Sequence, residues 1–359
     1  METFIKRFVF LLFFFSASTA GKSQDCDPTQ LATIPGTFKA GIAGSVQNVS
    51  KTDLVKEKET LSKINQKISS DFSPVGMEIT YSNAFGYNEF YGKNWVADPY
   101  IYSLYFLRYV CGTSAKNNRN YQPEISSNTQ VYFQINKLSG QGGGIELFAA
   151  EIPDDREEKY FKIKDWPERI ESGVYQWIIT EPQGKETRRV FNLIITKNDK
   201  LPFRALTKKE FILFHLPGMN RFLKELEQLR VPIDPKADEE SAVQYQIQTQ
   251  RINEQKKIIE DFEALLTDLS PEELEEPAIV EKGQSWYEFL GFKNVGDTNI
   301  LHLVVPDMGY FDKSLPKWRP QFFCINFFYE TKIQVYLTNI NSLIDDLDIK
   351  FFQSLLEKP

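Results

Sequence analysis

The chain has 359 residues, a formal charge of −7 and an aromatic content of 14%, led by 29 Phe. That length buries one large core or two smaller ones. An acidic, evenly mixed surface excludes nucleic acid, which needs clustered Lys and Arg, and argues equally against adhesion to anionic lipid.

The first twenty residues, METFIKRFVFLLFFFSASTA, read as a secretory signal peptide. Lys6 and Arg7 give a positive start, Phe8 to Phe15 is unbroken apolar sequence, and Ser18-Thr19-Ala20 supplies small residues for cleavage between Ala20 and Gly21. The run is far shorter than the roughly 20 residues a membrane-spanning helix needs. An uncleaved anchor is the alternative. No later stretch reaches spanning length, so no transmembrane segment is expected after cleavage. A lipid anchor would have to use Cys26, but Ser23-Gln24-Asp25 lack the Leu and small residue of a lipobox. The expected destination is the periplasm, the outer surface or the medium.

Cys26, Cys111 and Cys324 survive cleavage. An oxidising compartment permits a disulfide, and an odd number leaves at least one thiol over. Cys111 and Cys324 sit in strand-like apolar surroundings, so burial as small apolar residues is the plain reading. A Cys26–Cys111 or a Cys111–Cys324 bridge is the alternative. Catalytic use is not expected, because only two histidines exist to activate a thiolate.

Residues 21–50 are small and polar, with Ile34, Pro35-Gly36 and Phe38 suggesting a turn and short strand. Residues 51–70 read as a helix: Leu54, Leu61, Ile64 and Ile68 recur at helical spacing, and Thr52 or Asp53 can cap the start. From Met77 the pattern turns to strands: MEITYSNAF, YIYSLYFLRYVC, TQVYFQI, GIELFAAEI, and a hairpin of GVYQWIIT and RRVFNLIIT around EPQGKE. Residues 77–196 thus read as one β-rich unit. Thr207 and Glu210 fit a capping box opening a helix with Phe211, Phe214, Phe222, Leu226 and Leu229 on its apolar face and a break at Pro217-Gly218. A second helical run, from about Ala237 to Leu269, makes an antiparallel hairpin with it. Ser270 and Glu273 form a second capping box. NILHLVV, QFFCINFFYE and KIQVYLT then read as strands, and about Asp348 to Glu357 as a last helix.

Three segments taken together, LPFRALTKKEFI, LSPEELEEPAIV and VVPDMGYFDKSLPKWRPQFF, resemble a group of exported proteins of Bacteroidota-type bacteria, over roughly residues 190–325. That group has no assigned activity, so the resemblance implies export and a continuous fold and leaves the chemistry open.

No G-x-S-x-G elbow or HExxH motif is present. His215, on a helix among Phe and Leu, and His302, on a strand, read as core histidines. Asp345, Asp346 and Asp348 lack the glycine-bearing frame of a calcium loop and read as a helix N-terminus. SGQGGG lacks the Lys-Ser/Thr that follows a phosphate-cradling loop. No metal and no cofactor is expected. Glycoside cleavage needs only two carboxylates facing across a cleft, from anywhere in the chain, and stays open.

The most unusual patch is FGYNEFYGKNWVADPY, residues 85–100. Tyr87, Tyr91 and Trp95 alternate with Asn88, Asn94 and Asp98, a make-up that stacks on sugars or grips a peptide. A second patch, FDKSLPKWRP, sets Trp318 between Lys317 and Arg319. The polar helix around Gln244 to Lys257 is a third, through Ile247, Ile252 and Ile259. Each also has a plain structural account, as core rings, a rigid strand lead-in or a solvated face.

The expectation is an α+β protein: signal peptide 1–20, β-rich body 21–204, helical hairpin lobe 205–278, and strands with a C-terminal helix, 279–359, completing the body. Its expected role is non-enzymatic binding of a glycan or protein partner, with a carboxylate hydrolase as the alternative.

Overall fold

The computed structural model of the chain describes residues 26–86, 96–114, 119–138, 146–149, 159–181, 187–230, 232–283, 289 and 291–356. The leader with its Ala20–Gly21 junction, Tyr87, Tyr91, Trp95 and the glycine-dense turn 139–144 lie outside the described residues.

The chain opens with α1 (Pro28–Leu31), β1 (Thr37–Ala40), α2 (Lys51–Asp71), β2 (Met77–Phe85), β3 (Tyr100–Ser114), β4 (Arg119–Pro123) and β5 (Gln130–Ile135). It continues through β6 (Glu146–Ala149), β7 (Lys159–Ile163), β8 (Glu168–Glu171), β9 (Val174–Thr180), β10 (Arg188–Ile195) and β11 (Phe203–Ala205). Then come α3 (Lys208–Gln228), α4 (Glu239–Asp268), α5 (Pro271–Leu274), β12 (Ile279–Glu281), β13 (Ile300–Pro306), β14 (Phe323–Glu330), α6 (Gln334–Asp345) and α7 (Ile349–Leu356). The fold is α+β, and among the described residues no helix is long and apolar enough to cross a membrane.

Two sheets carry it. The larger runs β1-β2-β3-β5-β14-β10-β9-β8, with β4 also on β3; the smaller runs β11-β13-β7-β6, with β12 on β13. Strand alternation sends one set of side chains to each face. On the larger sheet Ile79, Phe106, Phe133, Phe191 and Phe327 meet Leu61, Ile64 and Ile68 of α2, Ile340 of α6 and Phe352 of α7. The opposite row, with Tyr175, Trp177, Ile194 and Cys324, meets Phe161, Ile163, Phe203 and Val304 of the smaller sheet. The far face of the smaller sheet is covered by Phe211, Ile212 and Met219 of α3 and Ile259 and Phe262 of α4. The result is helices, sheet, sheet, helices. Each fully buried Phe or Leu in these layers contributes roughly 1.5–3 kcal/mol. Residues 77–196 are therefore split between two sheets, since β6 and β7 join the smaller one.

The helix boundaries follow local chemistry. Ser50, not Thr52 or Asp53, caps α2: its hydroxyl accepts from the Asp53 N–H at 3.0 Å and donates to the Asp53 carboxylate at 2.7 Å. Both capping boxes, Thr207/Glu210 and Ser270/Glu273, are closed in both directions. α3 runs through Pro217 without ending. KIQVYLT, read as a strand, runs into α6 instead, from Gln334 on: Tyr336, Ile340 and Leu343 bury at helical spacing. Asn339, also buried, fixes α6 to the sheet by exchanging bonds with both backbone groups of Val75, each at 2.9 Å.

Cys111 is joined to Cys26, with Cα atoms 5.7 Å apart, and not to Cys324. Register explains the choice. Cys324 lies opposite Gln134, and Gln134 opposite Ile101, so Cys111 is ten residues further along β3. At about 3.3 Å per residue that is ~33 Å, beyond any disulfide. Cys324 lies buried in the layer between the sheets.

Candidate functional site

Two segments that sequence reading treated separately come together. The chain leaves β2 at Gly86, at φ +65°, a left-handed conformation where glycine avoids the Cβ clash. The Gly86 N–H donates to the Pro99 carbonyl at 2.8 Å, closing the base of the segment that ends at Asp98. The Asp98 N–H donates to the Lys317 carbonyl at 2.8 Å, and the Tyr100 hydroxyl to the Trp318 carbonyl at 2.9 Å. Asn136, fully buried, donates to the carbonyls of Asp98 at 3.2 Å and Arg319 at 3.0 Å, and accepts from the Gln321 N–H at 2.7 Å. The Asp98 and Lys317–Arg319 segments are thus locked together, with Asp98 and Trp318 both half-buried. The Arg319 guanidinium stands 5.8 Å from the Trp318 ring centre, a cation–aromatic contact, and Lys317 is exposed.

A third residue joins them from α2. Glu57 lies on the helix stripe that faces the sheet, between Leu54 and Leu61, and is 0% exposed. Neither carboxyl oxygen has a hydrogen-bond partner. Burial, reinforced by the charges of Asp98 and Asp53, pushes its pKa up to about 8, so it holds its proton at neutral pH. Asp98 is also raised, mainly by burial, with Lys317 pulling the other way and Asp53 adding to the rise. The buried Tyr100 phenol, hydrogen-bonded by Thr60, is raised by burial and feels Glu57, Arg319 and Asp98. A neutral buried acid, a partly solvated carboxylate and a ring flanked by cations therefore share one junction. Such a set can donate and accept hydrogen bonds and stack on a flat ligand.

Of the expected site residues, Asp98 and Trp318 are brought together, and Tyr87, Tyr91 and Trp95 lie outside the described residues. Glu57 was missed. Its signal was available: a charge at position i+3 from Leu54 and i−4 from Leu61 falls on the buried face of an amphipathic helix.

The other candidates find plain roles. Asp348 caps α7, accepting from the Phe351 N–H at 3.0 Å, and pairs with Lys67 at 2.8 Å. His215 is buried among Phe211, Phe214 and Phe262, within 3.1 Å of the Tyr160 hydroxyl, and desolvation, with Lys162, holds its pKa down to about 4. His302 lies beside the Trp166 ring. On α4, Ile252 and Ile259 are buried, which leaves only Ile247 of the three free to meet a partner. A shallow groove of about 450 Å³ on α4 is lined by Tyr245, Thr249 and Asn253. Among the described residues no group of three His, Cys, Asp or Glu is placed to hold a metal ion.

Comparison of the chain with known protein families, curated proteins and solved structures finds no match.

Proposed function

We propose that this is an exported, non-enzymatic binding protein of the cell envelope or medium, which takes a glycan or protein partner where Asp98 and Trp318 meet. The leader sequence favours export, and the Cys26–Cys111 disulfide suits an oxidising destination. One observation carries the site: the Asp98 and Lys317–Arg319 segments are hydrogen-bonded together, Arg319 lies against the Trp318 ring, and Tyr100, bonded to the Trp318 carbonyl, lies in the field of the buried, unpartnered carboxyl of Glu57. A carboxyl left without partners in a closed fold costs stability, and functional sites are where such a cost is retained.

The test is a glycan and peptide array probed with the mature chain and with Trp318→Ala, Asp98→Asn, Tyr91→Ala and Trp95→Ala. Loss of a central aromatic anchor should weaken the dominant interaction by about tenfold or more. If Trp318→Ala and Asp98→Asn both leave every detected interaction intact, the site is misassigned.

A second reading, hydrolysis by a carboxylate pair, draws on the raised pKa values of both Glu57 and Asp98, a pattern suited to an acid and its partner. The complete burial of Glu57 favours the binding reading. Glycan hydrolysis by the wild type that vanishes in Glu57→Gln would reverse that preference.

A further inference from the structure

A different face of the larger sheet carries a second polar cluster. Gln134 on β5, Asn326 on β14 and Asn192 on β10 are each at least 97% buried, at 3%, 1% and 1% exposure. Register puts them on one face, the one shared with Cys324 and Ile194: Tyr132 lies opposite Asn326, Asn326 opposite Asn192, and Gln134 opposite Cys324. The Asn326 amide donates to the Asn192 carbonyl oxygen at 2.8 Å. That bond leaves three buried polar groups without partners: the Asn192 amide nitrogen, the Asn326 amide oxygen and the Gln134 amide oxygen. Buried amide groups left unsatisfied are costly, so three on adjacent strands call for a partner the chain itself does not supply.

The chemistry of that partner can be read from the groups. One donor and two acceptors face it, and none of the three is charged. A ligand must therefore both donate and accept while remaining neutral, as hydroxyl groups do. Burial is graded along the strands. Beyond the amides, Tyr105, Tyr132 and Phe328 form a half-buried rim on the same face, with Tyr105 and Tyr132 edge-to-face at 6.3 Å. Aromatic edges around a few placed polar groups are the usual composition of a small-molecule site. We infer that the Gln134–Asn326–Asn192 amide cluster binds a neutral polyhydroxylated molecule, a sugar or polyol, through its hydroxyl groups. This site is separate from the Asp98–Trp318 junction.

The experiment is a titration of the ¹⁵N-labelled mature chain with glucose, galactose, N-acetylglucosamine and glycerol, with glucuronate as the anionic control. Side-chain amide signals of Asn192, Asn326 and Gln134 are followed by NMR. At least one neutral probe should shift them saturably, and glucuronate should not. Asn192→Leu/Asn326→Leu should weaken that binding by about tenfold or more, given what a lost polar contact costs. Gln134→Leu serves the same purpose if the double variant does not fold. The inference is overturned if no neutral probe moves these signals at about 10 mM, the weak end of useful affinity. It is equally overturned if crystals grown with the probes show only ordered water on the three amides, or if binding survives the Leu substitutions.

Discussion

Replacing Glu57 by Gln should stabilise the protein at neutral and alkaline pH and remove part of its pH dependence. The wild-type carboxyl titrates near its ordinary value of 4.5 when unfolded and at about 8 when folded. Between those values the folded state holds a proton that the unfolded state has released, so stability falls as pH rises through the window and levels off above it. One pH unit is worth about 1.4 kcal/mol, so the window sets an upper limit of about 5 kcal/mol. Relaxation of the fold around the ionised carboxyl reduces this to about 2–3 kcal/mol. Gln keeps the shape and carries no proton to lose. His215 works in the opposite sense below pH 6.5, because its folded form resists protonation, so the difference between wild type and Glu57→Gln is the quantity to read. Urea unfolding at pH 5, 7 and 9 should show the two proteins close at pH 5 and the variant ahead by the stated amount at pH 9. Parallel curves for the two proteins across that range would refute the reasoning.

The Cys26–Cys111 bridge spans 85 positions, and loop-entropy arguments assign it about 4–5 kcal/mol. Reduction, or Cys111→Ser, should lower the urea midpoint accordingly, while Cys324→Ala should not reproduce the effect of reductant. Asn339→Leu strips both backbone groups of Val75 of their partners and should cost about 2–4 kcal/mol, read by thermal unfolding. The folded-state pKa of His215 lies below its ordinary value, so stability should fall as pH drops from 6.5 towards 4, by about 2–3 kcal/mol. His215→Gln should flatten that acid limb, and an unchanged limb would show that other groups dominate it.

Much of the helical and strand structure was legible because it is local. The Leu54–Leu61–Ile64–Ile68 stripe predicted α2, the two capping boxes marked the starts of α3 and α5, and MEITYSNAF matches β2 from end to end. The smaller sheet was not legible as a sheet. β11 and β12 have three residues each and β7 five, too few for alternation to stand out. At the start of α6 the alternating Ile333, the N-cap, with Val335 and Leu337 imitated a strand, and only the continuation through Ile340 and Leu343 fixes the helical period. At the candidate site both halves had been singled out, since Asp98 and Trp318 lie in aromatic-rich segments. Their meeting depends on β3 and the lead-in to β14 lying at one end of the same sheet, a non-local fact that local pattern does not encode. The choice of Cys26 as the partner of Cys111 has the same origin, because it is decided by strand register.

The most direct test of the junction as a built site is the ionisation of Glu57 itself. A ¹³C NMR titration of the glutamate carboxyl carbons, with Glu57→Gln used to assign the signal, should show Glu57 protonated at pH 7 and titrating at about 8. A Glu57 signal that titrates near 4.5, like an exposed glutamate, would mean that the carboxyl is solvated and that the Asp98–Trp318 surface has no buried acid beneath it.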